Sequence, residues 1–309
     1  MKRAVLYIFI SLLIAGCRVS KPANEFPRFK GFRLDSERQT QELLSYSKDR
    51  IPLVSAHRGG PYPGYPENCL ETFNFVADKY PVLVECDVFM TKDDSLMMIH
   101  DSRLERTTTG RGPVGNKTYS ELKSLKLKDN MGEVTVYRIP SFWEVLQWAK
   151  RKAVLTIDVK KGVPWERVLE TLRRSGAAPY CSIITYSAKD AAKVHQIDPE
   201  IMISVTVRNR EEYRRYRKAG IPDNRMIAFT GLTQRSPDFY KFLHKKGIMC
   251  IVGAIGNLDR RAQSKGNQLY AELIKGGGDI IATDRPLEAN KAILPLVNKN
   301  SKIYQKYFK

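Results

Sequence analysis

Four clusters of polar residues stand within apolar runs or where such runs stop. They are His57-Arg58-Gly59-Gly60 after Leu53 to Ala56, Glu85-x-Asp87 inside Val82 to Val88, His100-Asp101 after a third run, and Asp158-x-Lys160 closing Ala153 to Val159. Side chains alternate along a strand, so Glu85 and Asp87 share one face while Val84, Cys86 and Val88 share the other. If the apolar face meets covering helices, the acids project inward, and Asp158 repeats the arrangement. Three converging carboxylates repel one another and resist ionisation unless a cation sits among them. Oxygen-only ligation suits a hard ion, Mg²⁺ or Ca²⁺, and not zinc. Glu85, Asp87 and Asp158 are therefore the expected ligands of one divalent cation.

The chain has four histidines. His57 and His100 directly follow apolar runs, and because imidazole titrates near neutrality, such a pair beside a phosphate can act as general base and general acid. Arg58 and Lys160 supply fixed cations for phosphate oxygens, the first as a planar fork and the second as a point charge. Glu67 and Asn68, after Pro66, fit a helix cap and a substrate contact equally well. His195 and His244 fall in polar and basic helical segments and read as exposed spectators. Gly59 and Gly60 suit a close backbone approach or a tight turn.

These groups need elements to hold them. Eight apolar runs recur along the chain: 53–56, 82–88, 153–159, 182–185, 202–207, 226–229, 248–252 and 279–283. Helical patterns separate them at 67–79, 141–151, 165–175, 188–197, 210–219, 237–246, 262–275 and 287–296. Alternation of this kind predicts βα units and a parallel sheet, and right-handed crossovers close it most economically as a (β/α)₈ TIM barrel. A small insertion follows the second strand, over about 89–140, opening on the hairpin signal Lys92-Asp93-Asp94-Ser95. Insertions at a strand's carboxyl end lie on the catalytic face, so this one is expected to shape the substrate mouth, and a lipid substrate would need it apolar, with Phe89, Met90, Leu104 and Tyr119 as the residues to supply that surface. A helix over 35–49, with Ser36 and Gln39 as a capping box, is expected to close the opposite end.

Lys2 and Arg3 precede an apolar run from Ala4 to Gly16, shorter than the ~20 residues that span a bilayer. Leu13-Ile14-Ala15-Gly16-Cys17 resembles a lipobox, which makes 1–16 a signal peptide, Cys17 the lipidated residue and 17–50 a membrane tether plus helix. The expected location is a bacterial cell envelope, with the protein lipid-anchored on the periplasmic or outer surface. Cys69, Cys86, Cys181 and Cys250 lie in or beside apolar segments without CxxC spacing and read as core residues. Formal net charge is +19. The excess favours anionic partners, but the basic residues are dispersed and no nucleic-acid module is readable, so no nucleic acid is expected as a partner. Residues 299–309 read as a basic tail, and nothing in the sequence bears on oligomeric state.

Taken together, His57-Arg58-Gly59, Pro66-Glu67-Asn68, Glu85-x-Asp87, His100-Asp101, Asp158-x-Lys160 and Thr283-Asp284-x-Pro286 resemble the glycerophosphodiester phosphodiesterase family over about residues 51–290. The resemblance implies a TIM barrel, a divalent metal, and cleavage of glycerophosphodiesters to glycerol 3-phosphate and an alcohol. It implies metal ligation by Glu85, Asp87 and Asp158, acid/base roles for His57 and His100, phosphate binding by Arg58 and Lys160, and glycerol contact by Glu67. Two departures stand out. Asp158 replaces the family's usual Glu, which leaves Ca²⁺ and Mg²⁺ both open, and the seventh strand lacks an aromatic often found near its end. Two further readings follow from the same residues: a lysophospholipase D-like lipid phosphodiesterase, and a non-catalytic lipoprotein that binds anionic envelope polymers.

Overall fold

The apolar runs become strands because their β-branched and aliphatic residues are buried on both faces, as parallel sheets require. The computed structural model describes residues 29–308, so the expected signal peptide, Cys17 and most of the tether lie outside the described residues. Among these residues eight parallel strands form a closed ring: β1 (Leu53–Ala56), β2 (Leu83–Met90), β6 (Val154–Val159), β7 (Cys181–Thr185), β8 (Met202–Thr206), β9 (Met226–Phe229), β10 (Met249–Gly253) and β11 (Ile280–Thr283). Closure comes from β1, which pairs with β11 through Ala56 and Thr283 and with β2 through Ala56 and Val84. The fold is a (β/α)₈ TIM barrel, with a helix or helix pair after each strand.

Local signals explain most helix ends. In α4 (Phe142–Ala149) the Ser141 hydroxyl accepts from the Glu144 amide while the Glu144 carboxylate accepts from the Ser141 amide, a complete capping box. Helix α5 (Trp165–Ser175) buries Val168, Leu169 and Leu172 on one stripe and stops at Gly176, whose φ of 69° is left-handed. Two expectations are corrected. The segment 262–275 is two helices, α9 (Asn257–Lys265) and α10 (Gln268–Lys275), because Gly266 at φ 113° breaks the run. The helix near 35–49 is α1 (Glu37–Leu43), but Ser36 makes no side-chain cap; the Gln39 side chain instead accepts from the Asp35 amide at 2.6 Å.

The end of the barrel opposite the site is sealed more tightly than the sequence suggests. Phe29 and Phe32, expected in a polar tether, are buried, as is the adjoining Leu34. The basic segment expected as a tail forms α12 (Lys302–Tyr307), which buries Ile303, Tyr307 and the adjoining Phe308. The Phe32 and Phe308 rings lie 5.2 Å apart, and Lys306 pairs with Glu42 at 2.7 Å. His244, expected to be exposed, is also packed there. It stacks on Tyr46 at 3.6 Å and lies 2.9 Å from buried Asp279, which also takes Arg50. A ring body against Tyr46 and a polar tip on a carboxylate account for its burial. His195 is half-buried, not exposed. The remaining four cysteines are buried free thiols. No helix among the described residues is long and apolar enough to cross a membrane.

The insertion pairs β3 (Leu96–Met98) antiparallel to β2 and continues through α3 (Tyr119–Ser124), β4 (Lys126–Lys128) and β5 (Val134–Arg138). It carries its own core of Met97, Ile99, Leu104, Val114, Leu122 and Leu127. Leu104 is wholly buried there and Phe89 packs against it, so neither lines a mouth. The apolar wall of the barrel mouth comes instead from Ile184, Phe229, Ile251 and Ile255.

Candidate active site

Register brings the acids together. Asp87 on β2 and Asp158 on β6 are direct cross-strand partners, and Glu85 lies on the same inward face two residues before Asp87. One oxygen from each of Glu85, Asp87 and Asp158 falls within 4.8 Å of the others. Lys160 leaves β6 beside them, with Nζ 2.5 Å from Asp87 Oδ1 and 2.7 Å from Asp158 Oδ2. Burial raises the Asp87 pKa, but the Lys160 ammonium outweighs it and the net direction is down. At Glu85 the nearby His57 pulls the same way but does not prevail. Burial and the neighbouring Asp87 push its carboxyl up to about 8. A buried trio of carboxylates, one of them short of countercharge, fits a hard divalent cation by donor type and by charge.

At the end of β1 the chain makes a tight turn through His57, Arg58 and Gly59, with Arg58 at φ 53°. Gly59 and Gly60 are needed for space as well as for φ, since a Cβ would stand 2.4 Å from the Phe73 ring at the first and 2.2 Å from Pro286 at the second. The turn aims the Arg58 amide at Glu85 Oε2, 2.7 Å away. Arg58 Nε, buried and without a hydrogen-bond partner, lies 3.8 Å from Asp87.

Each histidine is held through Nδ1, leaving Nε2 for chemistry. Because Ala56 pairs with Thr283, the following residues His57 and Asp284 meet across the closure, with Nδ1 2.6 Å from Asp284 Oδ1. Burial lowers the His57 pKa, yet the Asp284 hydrogen bond and the Glu85 charge prevail and raise it. The Asp284 loop is built on buried Asp259, which accepts from Tyr270 and Thr283 hydroxyls at 2.8 and 2.6 Å and from the Asp284 amide at 2.9 Å. His100 follows β3, where the Ile99 amide donates to the Asp87 carbonyl, and its Nδ1 lies 2.7 Å from Asp101.

The structure therefore brings His57, His100, Glu85, Asp87 and Asp158 to one cavity of about 170 Å³, with Arg58 and Lys160 at its edge. Glu67 lies just outside, its carboxylate turned to Arg58 at 3.2 Å and to Arg106 at 2.7 and 2.8 Å. It precedes α2 (Leu70–Ala77) and does not cap it.

Several contributors escape sequence reading. Asn68, weighed above as a cap or a substrate contact, brackets Asp87: its Nδ2 donates to Asp87 Oδ2 at 2.7 Å and its Oδ1 accepts from the Asp87 amide at 2.9 Å. Arg106 comes from the insertion, where no periodicity singles it out. Asp284 stood within a recognised motif, but only barrel closure shows that it faces His57.

The sequence profile described as "Glycerophosphoryl diester phosphodiesterase family" matches residues 57–287. A crystal structure of a glycerophosphoryl diester phosphodiesterase from Parabacteroides distasonis is 34% identical, superposes with a TM-score of 0.83, and covers 90% of this chain and 98% of its own. A glycerophosphodiester phosphodiesterase of Caldanaerobacter subterraneus is 37% identical over 113 residues, 36% of this chain and 46% of its own, so the matched stretch spans about half of that relative. An Oleispira antarctica phosphodiesterase, solved in complex with the product sn-glycerol-3-phosphate, shares the fold at 20% identity and a TM-score of 0.64, over 79% of this chain and 97% of its own. The match over most of the barrel gives the conclusion: this chain belongs to the glycerophosphoryl diester phosphodiesterase family.

Proposed function

We propose that the protein hydrolyses glycerophosphodiesters to sn-glycerol 3-phosphate and an alcohol, using one divalent cation, Ca²⁺ or Mg²⁺, and His57 and His100 as the acid/base pair. The observation that carries this reading is the convergence of two carboxylate-oriented histidines on one cavity with the Glu85, Asp87 and Asp158 trio. The Oleispira antarctica phosphodiesterase of the same fold, solved in complex with the product sn-glycerol-3-phosphate, supports the choice of product.

Glu85, Asp87 and Asp158 would hold the cation, which would supply Lewis-acid stabilisation of the negative charge that develops in the reaction. Arg58 and Lys160 bind the phosphate oxygens, the first as a planar fork and the second as a point charge. His100 takes the proton of the glycerol 2-hydroxyl as that oxygen attacks phosphorus. His57, whose protonated form Asp284 favours, gives a proton to the departing alkoxide, so the P–O bond to the leaving alcohol breaks as the new one forms. Water then opens the cyclic phosphate with the proton transfers reversed, yielding glycerol 3-phosphate. Glu67 serves by steering Arg58.

The protein acts in this reading at the bacterial cell envelope, lipid-anchored through Cys17. Release of glycerol 3-phosphate from a glycerophosphodiester, with and without chelator, on wild type and His57→Ala tests the chemistry. No release from any diester with added Ca²⁺ or Mg²⁺ would favour a non-catalytic binding protein. A Cys17→Ser variant tests the anchor: it should move from the membrane to the soluble fraction.

A further inference from the structure

We infer that the preferred leaving alcohol is a neutral polyol, seated in the polar cavity on the outer side of His57. The inference rests on the phosphodiesterase reading above. Among the described residues, three cavities of note adjoin the carboxylate trio or its histidines. The barrel-mouth cavity holds the trio and both histidines, in a space of about 170 Å³ that suits the three-carbon glycerol unit. A second, of about 460 Å³, lies beside Asp158 and Lys160 and touches neither histidine. The third, of about 710 Å³, meets the barrel-mouth cavity only at His57 and Ile255. A leaving oxygen must lie within hydrogen-bond reach of its proton donor. With His57 as the acid, the group beyond that oxygen enters the third cavity.

Its lining selects by chemistry. Arg260 and Gln263 from α9 face Arg285 and Glu288 of α11 (Pro286–Ile293) and its N-cap, with Asn130 reaching over from the insertion. Tyr62 is fixed in the floor, its hydroxyl donating to Glu288 at 2.8 Å and accepting from the Leu287 amide at 3.1 Å. Pro61 and Ile255 are the larger apolar contributions, too few to receive an acyl chain, which would strip water from charged groups without replacing their hydrogen bonds. A quaternary ammonium needs an aromatic cage, and Tyr62 is the single aromatic among three guanidinium groups of Arg58, Arg260 and Arg285. Carboxylates of Glu67, Asp259, Asp284 and Glu288 offset those cations, so the lining favours neither a cation nor an anion. Mixed guanidinium, amide and carboxylate groups instead match a molecule that both donates and accepts through adjacent hydroxyls.

The test is a comparison of kcat/KM for glycerophosphoglycerol, glycerophosphoinositol, glycerophosphocholine and a lysophospholipid, on wild type and on the Arg260→Ala, Gln263→Ala double variant. Both changes are at exposed positions of α9. The two polyol esters should exceed the choline ester by about tenfold or more, the worth of one or two charge-assisted hydrogen bonds, with the lysophospholipid slowest. The double variant should shrink that ratio toward unity through KM. A choline ester or lysophospholipid turned over as well as the polyol esters, or a double variant that keeps the wild-type ratio, overturns this inference alone. No glycerol 3-phosphate from any of the four overturns the phosphodiesterase reading and this inference with it.

Discussion

Arg106 grips Glu67 with both terminal nitrogens, at 2.7 and 2.8 Å, and in the same fork holds Asp101 at 2.6 and 2.9 Å. One guanidinium from the insertion thereby ties the carboxylate that steers Arg58 to the carboxylate that orients His100. Bidentate geometry of this kind is specific to arginine. Arg106→Ala should lower kcat roughly 10- to 100-fold, as losses of groups that orient catalytic side chains do, and Arg106→Lys should recover little of it. Full rescue by lysine in a steady-state assay would show that charge alone matters there.

The His57 and Asp284 pair predicts a pH effect with a definite sign. Burial disfavours the imidazolium, but Asp284 and Glu85 favour it more, so the His57 pKa lies above its ordinary value. As a general acid His57 is competent below that pKa, and activity falls as pH rises through it. Asp284→Asn removes the main raising influence, and the alkaline limb of the kcat profile should move to lower pH. His57→Ala should cost on the order of 10²-fold or more. A limb that stays in place in Asp284→Asn would remove the role given to Asp284.

Cation binding should compete with protons at Glu85, whose carboxyl is raised to about 8 in the cation-free protein. Below that pH the ion must displace a proton, so affinity weakens as pH falls, by up to about tenfold per unit. At pH 7 the calorimetric heat of Ca²⁺ or Mg²⁺ binding should therefore vary with the ionisation enthalpy of the buffer. The stability sign is the reverse of an ordinary carboxylate. An acid with a raised folded pKa destabilises the cation-free fold as pH rises from about 4.5 to about 8, so the gain in Tm on adding cation should grow over that window.

At the far end of the barrel, Asp279 accepts from the Cys250 amide at 2.8 Å and pairs with Arg50 and with His244 at 2.9 Å while itself fully buried. Removing one partner of such a network leaves the others buried and unpaired, at a cost of about 3–5 kcal/mol. Asp279→Ala should show this loss in urea denaturation, with KM near the wild-type value because the cluster is remote from the substrate cavities. An unchanged midpoint would mean that Arg50 and His244 find water instead.

What the sequence by itself determined is whatever repeats locally. Eight apolar runs alternating with amphipathic segments specify βα units, and the period of two within a strand places Glu85 and Asp87 on one face and leaves Val84 and Val88 to the helices. Those patterns need only neighbours in the chain. The tertiary structure decided everything that depends on register and closure. Asp87 meets Asp158 because β2 and β6 pair at those residues, and His57 meets Asp284, 227 positions away, because β1 closes on β11. Burial of Leu104 in a separate small core, Arg106 in its double grip and Phe308, just past α12, packed against Phe32 have the same origin. A side chain's periodicity tells which way it points from its own element, and only the packing of elements tells what it meets.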